Sequence, residues 1–388
     1  MPYPMTQLDL KLTMMNLLRS LARKLIPSAI RYRIYVARHD IYKNVKPLFK
    51  TFQNTLYRKV KVTNVIYRHK ASFHPILKYC VNNIEIIDAP LILISQIQRS
   101  GGSLLSQLFD GHPSLLVHPH ELKIGHPKNA DWPKFSSSDN PSKLFTRLFE
   151  HNNILFMRNG YAKGKRQIKR HRFYFIPSLQ REIFLSLCND SKVLTDRHIL
   201  NAYFTSYFNA WLNYRGSLRG KYVLAFAPRL ASDQKQFEDF FTTYPDGKLI
   251  SILREPYSWF ASVTTRNPEK LIDNLIKIWN ESTCAMIRNK KSNSDNVILL
   301  KFEDLISDSE KTMINICRQI GLDYNDVLLT PTFNSEPITA NSSFTVKEEG
   351  ISNEPINRKQ YLDTNEIKYI ERECTVNYQN ALNYIDSI

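Results

Sequence analysis

The sequence predicts an α/β fold: a central, mostly parallel sheet flanked by helices and preceded by a basic, mainly helical N-terminal region. Three observations carry this expectation. Short β-rich runs bounded by turn residues recur at LILISQI (91–97), KYVLAFA (221–227), KLISILR (248–254) and NVILLKF (296–302). Each run is followed by a helical pattern, as parallel strands with crossover connections require. The first run also passes through the small residues of RSGGS (99–103) straight into a Leu-rich helix. At 388 residues, with 12% aromatics, the chain belongs with globular proteins and has room for one large domain plus an appendage, or for two domains.

Taken in order, residues 1–75 hold 15 Lys or Arg against two Asp, a surplus of 13 within a net charge of +17. Leu12, Met15, Leu18, Leu21 and Leu25 recur at helical spacing, which predicts an amphipathic helix. Its run is interrupted by Arg19, Arg23 and Lys24 and ends at Pro27, so it resembles neither a secretion signal nor a membrane span. Such a region suits contact with something acidic, a membrane surface included, or else a solvated basic appendage; both readings stay open. Five cysteines without CxxC spacing predict free thiols in a reducing compartment, hence a cytoplasmic protein, peripheral to a membrane if the basic region docks there. Two regions follow from this reading, 1–85 and 86–388. In the second, helices are expected near 103–110, 198–213, 234–242, 257–264, 269–290, 308–321 and 364–385. The long excursion 125–220, with its basic run GYAKGKRQIKRHRFYF, is expected to serve as an acceptor-side element or lid.

Three stretches carry chemistry. In Arg99-Ser100-Gly101-Gly102-Ser103, glycines let backbone amides face an anion, and the helix beginning near Leu104 adds its positive end, with Ser100 and Ser103 as further donors. The GxxxxGK[ST] pattern of nucleoside-triphosphate loops is absent. In KLISILREPYSWFASVTTR (248–266), Arg254 ends a strand and Ser262 follows eight residues later on the next helix, so both can address one phosphate. In NVILLKFEDLISDSEKTMINICRQIGL (296–322), a strand leads to an acidic turn at Glu303-Asp304 and an amphipathic helix, and these carboxylates are expected to cap or brace the loops. No cluster of metal ligands is evident, so no metal is expected.

In this order and spacing, the stretches resemble the sulfotransferase superfamily. Its (P)-[KR]-S-G-[TS]-[TS] loop reads Q-R-S-G-G-S here, its Arg-then-Ser pair falls on Arg254 and Ser262, and its [YF]EDL element on Phe302-Glu303-Asp304-Leu305. The resemblance spans roughly 88–325 and, more loosely, ITANSSF (338–344). It departs at Gln98, where proline is usual, and at Gly102, where a threonine hydroxyl often donates to phosphate.

The resemblance implies a three-layer, P-loop NTPase-like domain that moves sulfonate from 3′-phosphoadenosine 5′-phosphosulfate (PAPS) to an acceptor hydroxyl or amine. It places Arg99, Ser100, Gly101, Gly102, Ser103 and Leu104 on the 5′-phosphosulfate, and Arg254 and Ser262 on the 3′-phosphate. A late loop would close the nucleotide pocket through Ser342 and Ser343. In tyrosylprotein-type members a glutamate at about this distance after the loop is the general base. Glu121 lies within one residue of that position and is favoured; His120 falls on it without a gap and is the alternative, with His118 and His126 as candidate substrate neighbours. The expected acceptor is a carbohydrate or glycolipid, and no nucleic acid is expected. Two rivals remain at this point: a kinase with a degenerate phosphate loop, and a non-catalytic protein binding a membrane or polyanion through its basic region.

Overall fold

The computed structural model describes residues 83–123, 132–133, 135, 139–157, 161, 171–189, 194–266, 271–339 and 358–385. The expected amphipathic helix of residues 12–25, His126, Ser342 and Ser343 lie outside them. The core is a five-stranded sheet of β1 (Leu91–Ile94), β2 (Leu115–Glu121), β3 (Tyr222–Phe226), β4 (Lys248–Leu253) and β5 (Val297–Lys301), in the order β2-β3-β1-β4-β5. Every pairing within it is parallel: Ile92 lies opposite Leu224 on β3 and Lys248 on β4, and Ile250 lies opposite Ile298.

Alternation along β1 builds the three layers. Leu91 and Leu93 face one core with Phe240, Trp259 and Trp279, while Ile92 and Ile94 face a second core with Leu104, Leu105, Leu108, Met313 and Ile316. The second core is closed by α1 (Gly102–Phe109), α9 (Phe302–Ser307) and α10 (Ser309–Ile320). The first is closed by α6 (Gln234–Thr243), α7 (Pro256–Arg266), α8 (Ile272–Ser292) and α11 (Thr364–Leu382). The excursion adds α2 (Pro141–Leu148), α3 (His151–Met157), α4 (Pro177–Asn189) and α5 (Asp196–Ala210). A short antiparallel hairpin, β6 (Thr332–Phe333) with β7 (Glu336–Pro337), follows α10.

Local signals explain most boundaries. Asp233 caps α6 through Gln236 N, Asp308 caps α10 through Lys311 N, and Gly321 ends α10 with φ 79°. At the start of α11, Asp363 and Glu366 form a reciprocal capping box. Helix α5 is buried nearly all round, from Ile199 to Ala210, which is why its sequence shows little polar stripe.

Two sequence expectations need correction. The Glu303-Asp304 turn is the first turn of helix α9, because its acidic residues favour a helix N-terminus. The stretch 115–121, absent from the expected strands, forms edge strand β2.

Candidate anion-binding site at the ends of β1 and β4

Chain direction puts the carboxyl ends of β1 and β4 side by side, at the edge where open parallel sheets bind ligands. The turn leaving β1 is held from below: Ser95 N donates to Ile250 O at 2.9 Å, Ser251 Oγ to Ser95 O at 2.6 Å, and Ser95 Oγ to Ala227 O at 2.7 Å. Arg99 adopts the left-handed region with φ 74°, costly for a residue with a Cβ. Two bonds hold it there. Arg254 Nη1 donates to Arg99 O at 2.6 Å, and Trp259 Nε1 on α7 donates to Gln98 O at 2.9 Å.

Gly101, with φ 94°, lies so close to Phe302 that a Cβ would enter its ring; at Gly102 a Cβ would overlap the Gln96 amide and the Phe226 ring. Helix α1 has no side-chain cap, so the amides of its first turn face outward without an intrahelical partner. Ser100 is 1% exposed and its Oγ has no hydrogen-bond partner. Uncapped amides beside a buried, unpaired hydroxyl fit an anionic group.

Helix α7 is set by Glu255, whose carboxylate accepts from Tyr257 N at 3.1 Å and Ser258 N at 2.7 Å. That fixes Ser262, buried two turns on, where its Oγ accepts from Arg99 Nε at 3.2 Å. Arg254 is 5% exposed, with its guanidinium 4.3 Å above the Phe302 ring. Burial pulls it down to about 9, partly offset by Glu303 and reinforced by the cations of Arg358 and Arg99. It remains a cation at neutral pH. Glu303 braces the turn as expected, accepting from Glu255 N at 3.1 Å through Oε1; burial pushes its carboxyl up to about 7.

Thus Arg99, Arg254 and Ser262 meet in one cleft. Ser103 and Leu104 lie in the first turn of α1. Arg358, which the sequence did not single out, is buried at the end of the late segment and adds its charge beside Arg254. The only signal for it was the expectation that a late loop closes the nucleotide pocket.

β2 ends at Glu121 beside Phe226, whose ring lies against Gly102. The Glu121 side chain is 41% exposed and pairs with Lys123 at 3.9 Å. His120 is half-buried, with its ring 5.4 Å from Tyr161 and 6.0 Å from Phe156. His118 is not a substrate neighbour. It is fully buried, with Nε2 2.8 Å from Glu150 Oε2 and Nδ1 2.9 Å from His120 O. Among the described residues no cluster of metal-binding side chains occurs, and no helix is long and apolar enough to cross a membrane.

A parallel α/β sheet with an uncapped glycine loop and two arginines at its carboxyl edge suits an anionic ligand. The model of the sulfotransferase family matches residues 90–326, more than half of the chain, which therefore belongs to that family. Its reaction is PAPS-dependent sulfonate transfer, which sets aside the kinase and the non-catalytic binder. Among solved structures, the chain is similar to the sulfotransferase domain from the curacin biosynthetic pathway, at 14% identity over 75% of this chain and 99% of that one, TM-score 0.45. It is also similar to the sulfotransferase domain of the Synechococcus PCC 7002 olefin synthase, at 17% identity over 79% and 99%, TM-score 0.43. A third is the sulfotransferase from Alicyclobacillus acidocaldarius, at 12% identity over 78% and 98%, TM-score 0.39. No curated protein matches the chain.

Proposed function

We propose that Arg99, Ser100, Ser103 and the amides of residues 101–104 hold the 5′ end of the nucleotide, while Arg254, Ser262 and Arg358 hold its 3′-phosphate. The observation that carries this reading is the joining of the two arginines in one cleft, through Arg99 Nε to Ser262 Oγ and Arg254 Nη1 to Arg99 O. PAPS, when bound, supplies the activated sulfonate. Arg99 faces the negative charge that grows on the leaving phosphate and, with the outward amides, offsets it without reorganising. Holding both ends also fixes the direction of approach for an acceptor oxygen.

Glu121 takes the acceptor's proton, with His120, its neighbour at the end of β2, as the alternative; the exposed carboxylate supports the first choice. The acceptor is a carbohydrate or glycolipid hydroxyl. A cavity of about 420 Å³ lined by His171, Arg172, Tyr174, Asn213, Arg215 and Glu336 supports a hydroxyl-rich partner, since it sets several hydrogen-bonding side chains beside the Phe333 ring. The basic residues 1–75 support contact with an anionic membrane surface.

Calorimetry with 3′-phosphoadenosine 5′-phosphate (PAP), ADP and ATP tests the nucleotide assignment. PAP is expected to bind at least tenfold more tightly than ADP, because only it engages both arginines. Equal affinities would remove the 3′-phosphate assignment of Arg254.

A further inference from the structure

Gln96 lies just after β1 and is 1% exposed, yet neither its Nε2 nor its Oε1 has a hydrogen-bond partner. A buried carboxamide left wholly unpaired is costly, and folded chains rarely retain one that is satisfied in no state. Its position is specific. The amide occupies the space a side chain on Gly102 would fill, at the first residue of α1, where no side-chain cap covers the helix amides. The neighbouring Ser100 Oγ is also buried and unpaired. Residue 102 is also where the resembling loops ordinarily carry a hydroxyl.

We infer that Gln96 is a further ligand-contacting residue, whose Nε2 donates to a phosphate oxygen at the N-terminus of α1 from the place vacated at Gly102. The inference rests on the nucleotide assignment above. Gln96 and Gly102 act as a pair: glycine is needed because the amide stands there, and the amide supplies the donor that glycine cannot. A neutral carboxamide adds a directed N–H without further charge in a site already rich in cations.

Calorimetry and thermal melts of the full chain test this, with PAP and adenosine 3′-monophosphate, which lacks the 5′-phosphate. Gln96→Leu, similar in size and without polar atoms, is expected to weaken PAP binding roughly tenfold and leave adenosine 3′-monophosphate within about twofold. The same variant should raise the Tm of the ligand-free chain, since it removes an unpaired buried amide. Gln96→Glu places a carboxylate against the 5′-phosphate and should weaken PAP further, again sparing adenosine 3′-monophosphate. Unchanged PAP affinity in Gln96→Leu, equal losses for both nucleotides, or a lowered Tm of the free chain would overturn the inference. A wild-type chain that fails to prefer PAP over ADP would instead strike the assignment beneath it.

Discussion

Arg99 combines a guanidinium directed at α7 with a strained backbone, and the two are maintained by different neighbours: Ser262 receives the side chain, and Arg254 grips the carbonyl. Truncation should separate their roles. Arg99→Ala is expected to lower kcat by roughly 10²-fold or more and to weaken PAP binding by about tenfold, because it removes a charged donor that holds the 5′ end and faces transition-state charge. Arg254→Ala should mainly raise the Kd for PAP, by about 10- to 100-fold, measured by calorimetry. Glu303 supplies a pH test. Its folded-state pKa of about 7 lies above the ordinary glutamate value of 4.5, so the fold retains a proton the unfolded chain releases. Stability from this group is complete below the unfolded value and is lost as pH rises toward and through 7. Glu303→Gln should therefore gain Tm relative to the wild type between pH 5 and 8, and parallel melting curves would refute this. Arg99, Arg254 and Ser262 could be singled out in the sequence because each lies in a strand-turn-helix unit with short, local spacing: Arg99 after β1, Arg254 and Ser262 after β4. Arg358 and Gln96 could not: one arrives from a remote segment, and the other matters only through what it touches.

Secondary elements show the same division. Strands β1, β3, β4 and β5 were legible as apolar runs, being buried on both faces. Strand β2 was hidden by Pro119 and two histidines, which read against a strand; the sheet accommodates the proline because β2 is an edge. The end of β2 is anchored by a buried network. Glu150 accepts from His118 at 2.8 Å, Lys123 N at 2.6 Å, Asn153 at 3.1 Å and Tyr203 OH at 2.8 Å. Burial alone would raise its pKa, but His118 and the other donors outweigh this and lower it. The His118 ring spans the network, with Nε2 against Glu150 Oε2 and Nδ1 against His120 O. Glu150→Ala strands these donors and should cost about 3–5 kcal/mol in urea unfolding. A loss below about 1 kcal/mol would mean the network does not hold β2. Helices α2 to α4, within the excursion 125–220, were not expected from the sequence; Leu144, Phe145, Phe184 and Cys188 pack from them into the first core.

At the scale of the molecule, charge is divided unequally between regions. The surplus of 13 in residues 1–75 lies apart in sequence from the cleft formed by residues 95–104 and 254–262. Deleting 1–75 should leave PAP affinity within about threefold by calorimetry while abolishing sedimentation with vesicles containing anionic phosphatidylserine, an interaction that salt should also weaken in the full chain. Loss of PAP binding on truncation would place the basic region in the nucleotide site. The fold class was legible at this scale because alternating strands and helices constrain topology strongly. The acceptor was not, because its specificity depends on side chains that meet only after folding.

The clasp between Arg254 and the carbonyl of Arg99 makes the halves of the cleft mechanically interdependent. Under the assignment proposed above, a guanidinium drawn toward one end of a nucleotide would transmit its displacement to the loop that receives the other. Affinity at the two ends should then be linked rather than additive, and that linkage must be reciprocal. Adenosine monophosphates bearing a phosphate at either end alone would accordingly recover less free energy, summed, than a chain of two independent pockets would yield.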